Sequence, residues 1–154
     1  MAKALIIAEH DGSQLNPSTA KCVSCAAQLP DTEITIAVFG KSPSAVANEA
    51  AAIESVNRVL AVADDSSEHA LAATLAPQIV AQIGEYDYVF GPSTTFGKDL
   101  MPRVAALAGV NQISDIMSVE GSHTFKRPVY AGNAIVTVKA PAGHPVVATV
   151  RTAS

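Results

Sequence analysis

A chain of 154 residues is the size of one domain, and 49% hydrophobic content against 16% charged residues supplies a sizeable core and excludes intrinsic disorder. No uninterrupted apolar run approaches the roughly 20 residues of a membrane span. The formal charge of −4, with no cluster of Lys and Arg, excludes a nucleic-acid footprint and leaves proteins or small molecules as partners.

Trp is absent and aromatics are few, so Ala, Val, Ile and Leu must build the core, as in a parallel sheet covered by helices of small residues. The run Ala4-Leu5-Ile6-Ile7-Ala8 is too short for a signal-peptide core and is spent as a first strand, Lys3–Ala8, in a chain expected to stay in the cytoplasm. Glu9-His10-Asp11-Gly12 leads to a helix over Pro17–Leu29, with Pro17 at its first position. Within it Cys22 and Cys25 form a C-x-x-C that could be redox-active near a βαβ unit. Yet Cys22, Cys25, Ala26 and Leu29 follow i, i+3, i+4, i+7, which places both thiols on the core face and favours packing over redox chemistry.

A strand over Glu33–Phe39 ends at Gly40, and a helix over Pro43–Ile53 follows, with Ser42 as N-cap and Val46, Ala50 and Ile53 turned inward. After a third strand, Arg58–Ala63, the capping residues Asp64-Asp65-Ser66 open a helix that runs to about Ile83 and that Pro77 must kink or split. A fourth strand, Tyr86–Phe90, precedes a Gly/Pro/Thr-rich loop. Pro102 has no N–H and suits a first turn, so the fourth helix is predicted to begin near Asp99, with Leu100, Val104, Leu107 and Ala108 inward and Gly109 as its end.

Beyond Gly109 the period changes to that of short β-branched strands: Gln112–Val119, Thr124–Tyr130, Ala134–Lys139 and Pro145–Arg151. Gly132-Asn133 reads as a two-residue hairpin turn, and Pro128 points to an edge or a bulge. The prediction is one α/β domain over residues 1–154, a doubly wound three-layer sandwich. Its parallel core is extended at an edge by antiparallel or mixed strands from the C-terminal end.

In such a sheet ligands sit beyond the carboxyl ends of strands near the topological switch, where the loops after strands one and four lie. Gly91–Lys98 is not a Walker A loop: five residues separate its glycines and Asp99 follows Lys98. Free N–H groups at the helix start suit a phosphate, a carboxylate or a partner's carbonyl, and Lys98 and Arg103 are cations placed against the macrodipole unless an anion or a neighbouring carboxylate is near. Glu9-His10-Asp11-Gly12 resembles an acid–base cluster, but adjacent residues at a strand end diverge and a solvated loop is the better reading. No zinc-type spacing and no nucleophile–base pair can be nominated. Arg127 with Tyr130 forms a polar-aromatic pair before the hairpin turn, for which surface and interface roles stay open.

Three separated segments carry a resemblance: Pro92-Ser93-Thr94-Thr95-Phe96-Gly97-Lys98-Asp99-Leu100-Met101-Pro102-Arg103-Val104-Ala105-Ala106, Gln112-Ile113-Ser114-Asp115-Ile116, and Arg127-Pro128-Val129-Tyr130-Ala131-Gly132-Asn133-Ala134. With Ile7-Ala8-Glu9-His10-Asp11 and Val150-Arg151-Thr152, they closely resemble the alpha subunit of electron transfer flavoprotein over essentially the whole chain. The resemblance implies an adenine nucleotide alpha-hydrolase-like fold. It also implies an electron carrier, not an enzyme: a heterodimer with a beta subunit that takes electrons from flavin dehydrogenases, such as the acyl-CoA dehydrogenases of fatty acid beta-oxidation, and passes them towards the respiratory quinone pool.

In that family a second, C-terminal domain holds most FAD contacts, and here the chain stops at Ser154, where the connection to it should begin. FAD is therefore expected in the parent heterodimer and not in this piece, which would act as scaffold and subunit interface in the bacterial cytoplasm. The family's AMP site belongs to the beta subunit and does not transfer. Interface or anion-loop candidates are Thr94, Thr95, Phe96, Gly97, Lys98, Arg103, Arg127, Tyr130 and Asn133; no catalytic, metal or flavin ligand is assigned. The alternative is a stand-alone nucleotide-binding module of the universal-stress-protein kind, which should show a glycine-spaced phosphate loop before its last helix; none is present in that form.

Overall fold

Ala4, Leu5, Ile6 and Ile7 of β1 (Ala2–Ile7) are all buried, so both faces of this strand are covered, as its uninterrupted apolar run requires of a central parallel strand. The computed structural model describes residues 1–152; the last two positions of the predicted domain lie outside the described residues. β1 pairs in parallel with β2 (Thr32–Gly40) on one side and with β4 (Tyr88–Pro92) on the other. β3 (Arg58–Ala63) lies beyond β2; β9 (Val146–Val150) and then β5 (Ile113–Ile116) lie beyond β4. All six pair in parallel, in the order β3-β2-β1-β4-β9-β5, and the order reverses between β1 and β4.

Helices α1 (Ser18–Ala26) and α2 (Ser44–Ala51) cover one face, packing Cys22, Val23, Val46 and Ala50 against Ile6, Ile36 and Phe90. The other face is closed by α3 (Ala72–Val80) and α4 (Thr95–Ala108), whose Leu75, Ile79, Leu100 and Val104 meet Leu5, Ile7, Val89 and Val147. A separate antiparallel sheet of β6 (Ser118–Gly121), β7 (Thr124–Val129) and β8 (Ala134–Lys139) joins the first face through Phe125, which packs edge-to-face on Phe90 with centroids 6.3 Å apart. The Tyr88 hydroxyl donates to the Ser122 carbonyl at 2.7 Å and pins the same sheet near the start of β4.

The α/β class holds, with four corrections. Pro145–Arg151 does not extend an edge: β9 sits inside the parallel sheet, and every one of its residues is buried. The single strand expected over Gln112–Val119 is two, β5 in the main sheet and β6 in the small one, parted at Met117. Within β5, Asp115 takes φ +59° in the register shift against β9 between Ile113 and Ile116, and its N–H donates to Thr149 Oγ1 at 2.7 Å. The helix expected from Asp64 begins instead as an isolated 3-10 turn, Asp65–Ser67; α3 starts at Ala72 and accommodates Pro77 internally. The fourth helix starts four residues before Asp99, at Thr95, so Pro102 lies mid-helix and removes the bond the Lys98 carbonyl would accept.

Smaller shifts follow. Leu107 is 54% exposed, while Met101 and Ala105 join Leu100 and Val104 on the inner stripe of α4. Pro43, not Ser42, stands at the start of α2, without a side-chain cap. The β7–β8 turn has four residues, Tyr130 to Asn133, with Tyr130, Ala131 and Gly132 all at positive φ. Pro128 sits where β6 no longer pairs with β7. Lys126 accepts from Met117 across that side, so the absent N–H two residues on faces no strand.

Candidate functional site

The carboxyl ends of β1 and β4 flank the point where strand order reverses, the usual ligand crevice of an open α/β sheet. Here side chains of the chain itself bridge it. Glu9 follows β1, and its Oε1 accepts from Ser18 Oγ at 3.1 Å and from Thr94 Oγ1 at 2.8 Å. Ser18 is the first residue of α1 and Thr94 the N-cap of α4, so one carboxylate serves both helix starts. Thr94 Oγ1 also accepts from the Gly97 N–H at 3.3 Å. The Glu9 main chain is held as well: its N–H donates to Thr19 Oγ1 and its carbonyl accepts from Asn16 N–H at 2.8 Å.

Gly97 is buried in the first turn of α4 against β4: a Cβ there would come within 1.6 Å of the Pro92 carbonyl oxygen. Only glycine lets the helix start this close to the strand end. Ser93 N–H donates to the Val150 carbonyl at 2.8 Å, fastening the turn to β9. Phe96 packs with its neighbours against the α3–α4 side of the core. Thr95, Lys98 and Arg103 are exposed, and among the described residues neither cation forms an ion pair. Asp115, a possible partner for Lys98, pairs instead with Arg151 at 2.9 Å, and Asp87 Oδ2 accepts from the Lys3 main-chain N–H.

His10 is structural. Its Nε2–H donates to the Phe39 carbonyl at 2.7 Å and its Nδ1 accepts from Gly12 N–H at 3.0 Å, a pairing that fixes the tautomer and spends both nitrogens on loop geometry. Asp11 caps the next turn through Ser13 and Gln14, whose N–H donors hold its carboxyl below the usual range. The three side chains turn to separate partners, as the divergence of adjacent residues at a strand end predicts, and form no acid–base cluster. Both cysteines are buried on α1; burial pushes the Cys25 thiol up to about 12 and raises Cys22 further, with Cys25 and Glu9 adding charge effects at Cys22. Among the described residues no group of three or more His, Cys, Asp or Glu converges as a metal would require.

The hairpin candidates separate in role. Arg127 Nε donates to the Ser114 carbonyl at 2.7 Å and ties β7 to β5. Tyr130 and Asn133 lie exposed in the turn, Tyr130 at 80%. β7 runs from Thr124, near the amino end of the main sheet where Ser122 meets Tyr88, to Lys126 beside Met117 past the end of β5. Its turn therefore projects towards the same end as the α4 start. Two open cavities, of about 520 and 470 Å³, lie at the opposite, amino end, share His144 and Pro145, and touch none of the nine candidates. Residue reading missed Glu9 as the bridging group; the signal was a single acidic residue after the first strand with hydroxyl residues, Ser18 and Thr94, at two helix starts.

Residues 4–154 match the family model described as the electron transfer flavoprotein domain. Curated relatives include electron transfer flavoprotein subunit alpha of Pseudomonas aeruginosa, 44% identical over 149 residues that cover 96% of this chain and 47% of the relative. That of Paracoccus denitrificans is 42% identical over 151 residues, 97% and 48% respectively, and the mitochondrial one of Dictyostelium discoideum is 42% identical over 142 residues, 88% and 40%. The chain spans about half the length of the curated relatives it matches.

Proposed function

The chain belongs to the electron transfer flavoprotein domain family, and from that premise we propose that it is the amino-terminal scaffold domain of an alpha subunit, working beside a flavin-holding half and a beta subunit. One observation carries the reading: the match runs through the whole domain at 42–44% identity while covering 40–48% of the alpha-subunit relatives. In the proposed parent, electrons pass from flavin dehydrogenases such as acyl-CoA dehydrogenases to FAD and on towards the respiratory chain. The domain contributes surfaces and no catalytic residue. The bacterial cytoplasm is the proposed location, supported by the Pseudomonas and Paracoccus relatives and by the lack, among the described residues, of a helix long and apolar enough to cross a membrane.

The residues of this chain do not fit a flavin dinucleotide or a free nucleotide. A pyrophosphate at the switch point would meet the Glu9 carboxylate, which already takes the hydroxyl donors of Ser18 and Thr94. That argues equally against the universal-stress-protein reading, and no flavin contact is assigned to the domain. The exposed Thr95, Lys98 and Arg103 of α4 and the exposed Tyr130 and Asn133 of the hairpin are its proposed contact residues; Thr94, Phe96, Gly97 and Arg127 hold those surfaces in shape. The deciding experiment mixes residues 1–154 with the beta subunit of Paracoccus denitrificans, with and without the carboxy-terminal half of that organism's alpha subunit, and FAD. Flavin absorbance retained on gel filtration only when all three polypeptides are present supports the proposal. Stoichiometric flavin on residues 1–154 alone, or no association with either polypeptide, overturns it.

A further inference from the structure

We propose that the switch-point crevice is self-occupied: the Glu9 carboxylate takes the place of an external anion there and latches the start of α1 to the start of α4, which presets the Thr94–Lys98 turn as a protein-contact surface. Three facts carry this. Glu9 leaves β1, and Oε1 is shared between Ser18 Oγ and Thr94 Oγ1, residues 9 and 85 positions away in sequence. Thr94 Oγ1 spends a lone pair on Gly97 N–H, so its single proton is left for Glu9, and the chain N–H to hydroxyl to carboxylate runs in one direction. Gly97 cannot move away to make room, because its position under the Pro92 carbonyl fixes how close α4 stands to the strand end.

A carboxylate only accepts, and its charge strengthens both bonds from the converging hydroxyls. Both bonds fall on Oε1, so a glutamine amide oxygen would still accept them with the charge removed, whereas alanine would leave the hydroxyls without an acceptor. A phosphate entering the crevice of the native chain meets a like charge. The latch stands without the scaffold reading; only the preset contact surface rests on it.

The test uses the 154-residue chain with Glu9→Ala, Glu9→Gln, Thr94→Val and Thr94→Ser. Expected results are Tm losses of about 2–4 °C for Glu9→Ala and Thr94→Val, near-native behaviour for Thr94→Ser, and a Glu9→Ala/Thr94→Val double variant little worse than either single. Formate or acetate should restore much of the Glu9→Ala loss saturably, while acetamide and chloride at equal concentration should not, and none should move the native chain. A native-like Tm for Glu9→Ala, or its loss without rescue by either carboxylate, overturns the latch. So does inorganic phosphate that saturably stabilises the native chain. Should Glu9→Ala fail to fold, the Thr94→Val/Thr94→Ser contrast decides, equal Tm losses overturning the latch; Glu9→Gln keeps an acceptor and should stay nearer the native Tm. Beta-subunit affinity read on the same variants separates the two halves: lost Tm with native affinity sinks the preset surface and leaves the latch, whereas absent affinity in the native chain itself sinks the scaffold reading and the preset surface with it, and leaves the latch.

Discussion

A thiol attacks only as thiolate, and α1 denies both of its cysteines that state. Cys22 and Cys25 lie on the turn-and-next-turn spacing of a core face, where desolvation raises Cys25 to about 12 and Cys22 beyond it. An unfolded thiol titrates near ~8.5, so above that pH the unfolded chain releases protons that the native chain keeps, and stability falls as pH rises. The slope approaches about 1.4 kcal/mol per pH unit for each thiol in the window between ~8.5 and the native value. Tm is therefore expected to hold level from pH 6 to 8 and to decline above pH 9. A Cys22→Ala/Cys25→Ala variant should lower Tm at neutral pH but flatten the alkaline decline. Maleimide labelling of the native chain should be slow, and fast in denaturant; rapid native labelling would reverse the assignment to packing.

Four strand–helix alternations were readable because each apolar run met a local punctuator: Gly40 after β2, Asp64 after β3, Gly109 after α4. What failed was non-local. β9 carries β-branched residues like the hairpin strands beside it, and only its insertion between β4 and β5 makes it a buried parallel strand, a fact no window of residues contains. Pro102 points to a later start of α4 than the one Thr94 sets, whose N-cap bond from the Gly97 N–H fixes the first turn. The candidate site was legible as a place, at the loops after β1 and β4. It was not legible as an arrangement, since the bond between residues 9 and 94 depends on the sheet order.

Gly97 in the first turn of α4 and Gly109 at its C-cap supply a paired test. Gly97→Ala puts a methyl 1.6 Å from the Pro92 oxygen, a backbone atom, so the helix must leave the strand end; a loss of about 3 kcal/mol or more is expected. Gly109→Ala meets nothing within 4 Å and only strains φ +74°, for a loss of about 1 kcal/mol. Urea unfolding of both measures the difference, and equal losses would mean that the close seat of α4 carries no energy.

Exposed apolar groups gather on the small sheet and the bend before it. Met117 is exposed, β8 is an edge strand with Ile135 and Val136 outward, and Tyr130 stands 80% exposed on a turn of three positive-φ residues. A protein exposes few contiguous apolar patches without use, and an unpaired strand edge invites association. In the scaffold reading this hairpin and the α4 start, projecting at one end of the main sheet, receive the other polypeptides. Tyr130→Ala, Ile135→Lys and Lys98→Met all alter exposed side chains, so each should leave stability within about 0.5 kcal/mol of native. Their effects on assembly should differ. If the hairpin is the anchor, Tyr130→Ala weakens beta-subunit binding by an order of magnitude, about 1.4 kcal/mol, independently of salt. If the α4 start makes a charged rim contact, Lys98→Met weakens it less and mainly at low ionic strength. Ile135→Lys should also suppress self-association of the isolated chain, measured by sedimentation. Native beta-subunit affinity in all three variants would remove both surfaces from the interface and place the contact elsewhere on the domain.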